Sequence, residues 1–160
     1  MFPTFSKITW AKKLSVTVNQ QVTNVPSIAV VSSIAFYKQV INIRDQLAQL
    51  GFRPVVPKLA LVMEQADNFD LKSHLSTFYS GNFIKGKTKA IRDHFDEIAT
   101  SDCLLVINLK KHNQEGYIGP NVLMEMGLAF YLKKPIFIWQ NLPKASPFAD
   151  EISAMEPIFI

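Results

Sequence analysis

Apolar positions along the chain alternate between two spacings, and the alternation predicts a layered fold. Ser27-Ile-Ala-Val-Val-Ser32 and Cys103-Leu-Leu-Val-Ile107 are short, unbroken apolar runs, as expected of strands buried on both faces. After the first run, Phe36, Val40, Ile43, Leu47 and Leu50 recur at helical spacing, predicting a helix over about 34–50 that Gly51 closes. Phe52–Val56 reads as a second strand, near an edge because Pro54 lacks a ladder donor. Helical spacing returns from about Lys87 to Thr100, with Ile91, Phe95 and Ile98 inward. Pro120 opens a helix that runs to about Leu132, and Pro135–Trp139 follows as a fourth strand. Asp150–Met155 reads as a short helix and Pro157–Ile160 as a closing strand. Strands thus alternate with helices, which predicts an α/β fold: a parallel sheet of about five strands with helices on both faces.

Two stretches carry weaker patterns. Residues 1–26 read as an N-terminal arm or edge strand, with alternation confined to Lys13–Asn19, and residues 27–160 as a single domain. Residues 57–85 suggest two short helices, Leu59–Gln65 and Leu71–Tyr79, and a turn at Ser80-Gly-Asn82; this is the expected lid or insertion.

Composition narrows the class. With 160 residues, 48% hydrophobic and 19% charged, the chain suffices for one globular core and does not resemble a disordered segment. Cys103 is the only cysteine, which excludes an internal disulfide and any multi-cysteine metal site; it fits a small core residue and a reducing, cytoplasmic setting. No apolar stretch is long enough to span a bilayer, and the N-terminus lacks a signal-peptide core. The net charge of +4 comes from scattered lysines without interleaved aromatics, so nucleic acid is an unlikely partner and a small anionic ligand a better one.

One charge stands out. Glu125 is the only charged residue between Glu115 and Lys133, set among apolar and small neighbours where a carboxylate is costly to desolvate. Ligands of open α/β sheets bind at the carboxyl ends of the strands. That rule selects Ser32 and Ser33 after the first strand, Asn108 after the central one, Trp139, Gln140 and Asn141 after the fourth, and Glu125 itself. Asp102 opens its strand at the opposite edge and reads as structural. Ser32-Ser33 suits either an N-cap or an anion contact. His94 falls three residues after Ile91 and four before Ile98, on or beside the buried face, where it is either a core-edge histidine or a proton carrier. His74 and His112 are expected on loops or exposed turns, so the histidines form no metal cluster.

Ser101-Asp-Cys-Leu-Leu-Val-Ile-Asn108, a glycine-bearing loop, Met124-Glu-Met-Gly-Leu-Ala129 and Lys134-Pro-Ile-Phe-Ile138, with Ser33-Ile34 after the first strand, resemble the nucleoside deoxyribosyltransferase superfamily. That group includes the deoxynucleoside monophosphate N-glycosidases. The resemblance covers about residues 27–140 and implies a flavodoxin-like or Rossmann-like fold. It also implies that Glu125 is a nucleophile at C1′ of the sugar of a nucleoside or nucleoside monophosphate. Water then completes hydrolysis, or a second base completes deoxyribosyl transfer, with no cofactor and no metal. His94 stands where many relatives carry an aspartate, about eight residues ahead of Asp102. Gly119 stands where monophosphate-specific relatives carry a serine, and Ala35-Phe-Tyr-Lys38 replaces their Arg-Gly-Gly loop. The strand-end rule and the resemblance together give Glu125 and His94 as the expected catalytic residues, and Ser32, Ser33, Lys38, Asn108, Gly119 and Asn121 as the expected substrate contacts. It further implies a homodimer or larger homo-oligomer. The alternatives are a nucleotide-binding sensor without turnover on the same scaffold, and a TIR-like NAD hydrolase.

Overall fold

The computed structural model describes residues 25–78, 82–142 and 146–160, side chains at 75–78 excepted. The expected N-terminal arm and most of the Ser80-Gly-Asn82 turn lie outside them. Among the described residues five strands form one sheet: β1 (Ser27–Ser32), β2 (Arg53–Val55), β3 (Cys103–Ile107), β4 (Ile136–Ile138) and β5 (Ile158–Phe159). Their order is β2-β1-β3-β4-β5, every pair parallel, as in flavodoxin-like sheets. The connecting helices are α1 (Tyr37–Gln49, preceded by a 3₁₀ turn at Ile34–Phe36), α2 (Lys58–Gln65), α3 (Leu71–Phe78), α4 (Phe83–Thr100), α5 (Pro120–Tyr131) and α6 (Ala149–Ala154).

Side-chain alternation along each strand feeds two cores. Ile28, Val30, Cys103, Leu105, Ile107 and Phe137 point to one face and pack with Val40, Ile43 and Leu47 of α1 and Leu59, Ala60 and Met63 of α2. Ala29, Val31, Leu104, Val106, Ile136 and Ile138 point to the other and meet Ile98 of α4, Val122, Met126 and Ala129 of α5, and Ile152 of α6. Helices therefore cover both faces, which is why the central strand has no polar position. Cys103 belongs to the first core, and burial pushes its thiol up to about 12.

Local signals set the element ends. Gly51 adopts φ 85°, and the main-chain bonds Gly51 N–H to Ala48 O and Phe52 N–H to Leu47 O end α1 in a Schellman motif. Pro54 sits on edge strand β2, as expected. Pro120 begins α5.

Three expectations need correction. α4 starts at Phe83, not Lys87, because Asn82 caps it: the Asn82 side-chain oxygen accepts from Lys85 N–H at 3.0 Å. The start of the expected lid is core, since α2 buries Leu59, Ala60 and Met63. His74 lies within α3 and not on a loop; its Nε2 is 2.8 Å from the Asn68 carbonyl.

Candidate functional site

The sheet reverses its winding between β1 and β3, and a cleft of about 590 Å³ opens beyond the carboxyl ends of these strands. Parallel pairing aligns Ser32 with Ile107, so the chain leaves both strands at the same level and diverges. That divergence is the physical origin of the crevice.

Glu125 lies in the second turn of α5, and its residue is 8% exposed. Its Oε1 is 2.7 Å from Nδ1 of His94 on α4, 31 residues earlier in the chain. Packing of α4 against α5 brings the two together. The other ring nitrogen of His94, Nε2, lies 3.9 Å from Oε2 of Glu97, one helical turn further on. Burial, the largest single influence on His94, lowers its affinity for a proton. The hydrogen bond and charge of Glu125, with the charge of Glu97, overcome it and hold the imidazole above its ordinary range. Burial also raises the Glu97 carboxyl; His94 and Lys58 oppose that, and Asp93 adds to it.

The opposite wall comes from β1 and from the loop after β3. Lys111 is aimed by a tight turn in which His112 (φ 50°) and Asn113 (φ 59°) are both left-handed, and Lys111 and Gln114 exchange main-chain hydrogen bonds. Its Nζ donates to Ser33 Oγ at 2.9 Å and lies 4.9 Å from the centre of the Tyr117 ring. Among the described residues no carboxylate forms an ion pair with Lys111. Gly119 caps α5 and makes room for Tyr117: a Cβ there would stand 3.2 Å from the Tyr117 hydroxyl. At the rim, Asp93 accepts from Lys58 at 2.9 Å and Lys89 at 2.6 Å.

The cleft thus gathers Glu125, His94, Ser32, Ser33, Gly119 and Asn121. Trp139, Gln140 and Asn141 do not line it, and two of the expected substrate contacts, Asn108 and Lys38, lie elsewhere. Asn108 is fully buried, and its amide exchanges two hydrogen bonds, each 2.8 Å, with the main chain of Gln140. Lys38 is exposed on α1 and does not line the cleft. Lys111, Tyr117 and Glu97 line it without having been anticipated. Lys111 and Tyr117 belong to a polar loop whose course the sequence does not reveal, and Glu97 reads as a solvated helix charge. Asp102 is structural, as expected: its Oδ2 accepts from both the N–H and Oγ of Ser27, each at 2.7 Å. Among the described residues no group of three or more His, Cys, Asp or Glu is placed to hold a metal ion. No helix among them is long and apolar enough to cross a membrane.

No protein-family model and no curated protein matches the chain. Among solved structures, the chain is similar to a 2-deoxyribosyltransferase from the psychrotolerant bacterium Bacillus psychrosaccharolyticus, described as a biocatalyst for the industrial synthesis of antiviral and antitumoral nucleosides. The TM-score is 0.55 at 13% identity, over 84% of this chain and 85% of that one. At that identity the likeness concerns architecture.

Proposed function

We propose that this protein cleaves or transfers the N-glycosidic bond of a nucleoside or nucleoside monophosphate, with Glu125 as nucleophile at C1′. The observation that carries the reading is the Glu125–His94 pair. It is a carboxylate in apolar surroundings, held at 2.7 Å by an imidazole and facing a cleft at the switch point of the sheet. Its architectural likeness to a 2-deoxyribosyltransferase is consistent with that chemistry.

His94 engages Oε1, which leaves Oε2 as the attacking atom. Attack on C1′ displaces the base and forms a glycosyl ester, as in retaining glycosidases. Water then releases the sugar, or a second base accepts it. Ser33 and Lys111 offer a hydroxyl and an ammonium to the sugar or its phosphate, and the Tyr117 ring offers a face for stacking. Half-buried Ile34 and exposed Ala35 complete the wall toward α1.

The test is base release, followed by chromatography, from a panel of nucleosides, deoxynucleosides and their 5′-monophosphates, with and without an acceptor base. The expected result is release by the unaltered protein and a loss of at least about 1,000-fold in Glu125→Gln, since a neutral amide cannot form the ester. Equal release by that variant would remove Glu125 from the chemistry.

One observation favours a second reading, a nucleotide sensor without turnover: His94 supplies Glu125 with a hydrogen-bonded partner at 2.7 Å, so the carboxylate is satisfied without a substrate. Calorimetric binding of a nucleotide with no product over long incubation would select it. Nicotinamide release from NAD in the same panel would point instead to an NAD hydrolase.

A further inference from the structure

Glu97 is a cleft carboxylate for which the reaction above has no role. It lies on α4 with 20% of its side chain exposed, against 14% for His94 and 11% for Glu125. The imidazole of His94 therefore stands between two carboxylates, one opposite each nitrogen. A neutral imidazole carries a single N–H, whereas the imidazolium carries two. The two contacts differ in kind. At 2.7 Å the Nδ1–Glu125 contact is a hydrogen bond, but at 3.9 Å the Nε2–Glu97 contact acts through charge alone. The Nε2 proton is thus favoured by Glu97 without being consumed by it, and it remains available to a molecule in the cleft.

We propose that Glu97 is a positioning residue, which keeps His94 doubly protonated so that the Nε2–H of His94 protonates the departing base. The inference rests on Glu125 acting as nucleophile at C1′. The step balances. Glu125 Oε2 forms a bond to C1′, the C1′–N bond breaks with its electron pair on the base nitrogen, and the Nε2 proton passes to the base. In hydrolysis the oxygen of water bonds to C1′, the Glu125–C1′ bond breaks, and the proton of the water returns to Nε2. Throughout, Nδ1–H stays on Glu125 and fixes the ring.

The charges facing His94 come from every wall. Besides His94, the titratable groups lining the cleft are Glu125 from α5, Lys87, Asp93 and Glu97 from the helix of His94 itself, Lys58 from α2, and Lys111, His112 and Tyr117 from the loop after β3; of these, Glu125 and Glu97 act on His94 through charge. Lys58, 3.9 Å from Glu97 and 2.9 Å from Asp93, opposes their effect in part.

The experiment joins two readouts on the full chain. The first is an NMR titration of the His94 ring, assigned with His94→Gln. The second is the pH profile of kcat/KM for base release. Replacing Glu97 by Gln removes a negative charge beside the imidazolium, so its titration midpoint falls, by about one pH unit for an opposite charge at this distance. The alkaline limb of kcat/KM moves down by the same interval, and Glu97→Asp restores part of both. An unmoved midpoint in a Glu97→Gln variant with unchanged circular dichroism and melting temperature overturns the inference. So does a moved midpoint with an unmoved alkaline limb. Absence of base release from the unaltered protein removes the nucleophile and the delivery step together, and the titration alone then decides whether Glu97 governs His94.

Discussion

Asp102 and Ser27 lock the amino-terminal ends of the two central strands together: one carboxylate oxygen of Asp102 receives both the main-chain N–H and the hydroxyl of Ser27, each at 2.7 Å. Burial raises the Asp102 carboxyl, but the two Ser27 hydrogen bonds and the nearby Lys134 and Arg53 outweigh it and leave it below its ordinary range. Asp102→Ala leaves the N–H of buried Ser27 without its partner. The expected cost is about 1–2 kcal/mol, at the lower end because the carboxylate is partly solvated. A depressed carboxyl stabilises above its unfolded value and ceases to as pH falls through its folded value. The difference between the two proteins in urea therefore shrinks below about pH 4.

His94 predicts the opposite sign. Its folded affinity for a proton is raised, so its contribution is complete below about pH 6.5 and disappears as pH rises through the folded value. Stability followed by urea denaturation falls over that alkaline interval in the unaltered protein. In His94→Gln the slope over the interval is flattened.

Gly119→Ala tests the fit between the cap of α5 and Tyr117. Gly119 has φ −89°, so alanine meets no backbone strain, but its Cβ would stand 3.2 Å from the Tyr117 hydroxyl and 3.3 Å from Cε1. The ring must shift away and loosen its contact with Lys111. Melting temperature is expected to change little, while KM for the best substrate rises several-fold with kcat less affected. Unchanged KM would show that the Tyr117 wall does not meet the ligand.

Asn108→Leu is expected to act on stability and not on ligand contacts. The substitution leaves both main-chain groups of Gln140 without their partner, at a cost of about 1–3 kcal/mol. The check is a lowered urea midpoint in a variant whose kcat/KM, measured while it is folded, is close to the original.

The sheet was legible in the sequence because its signals are local. The run Cys103–Ile107 has no polar residue since both of its faces are covered, and Pro54 marks an edge since it cannot donate to a second neighbour. Gly51 and Pro120 mark helix ends for equally local reasons. The site was only half legible. Glu125 announced itself as an isolated charge, and the strand-end rule gave Ser32 and Ser33. Rules of proximity along the chain failed where the site depends on elements meeting. Lys38 follows Ser33 closely but projects from the exposed side of α1, whereas Lys111 arrives 78 positions later to donate to that serine. Asn108 ends the central strand as the rule requires, but turns its amide to the neighbouring chain segment and not to the cleft. Glu97 and His94 share a helix face whose partner, Glu125, is fixed only by how α4 lies on α5.

The parallel pairing of β1 with β3 has a consequence for how the cleft comes into being. Ser33, His94, Lys111 and Glu125 belong to four separate stretches, and no hairpin or single helix pair holds them all. Long-range strand pairing must therefore be complete before the crevice exists, which makes its assembly a late event of low local contact. In a denaturant titration, any ligand binding that depends on all four stretches is expected to be lost together with the helical signal, and no fragment ending before α5 is expected to retain it.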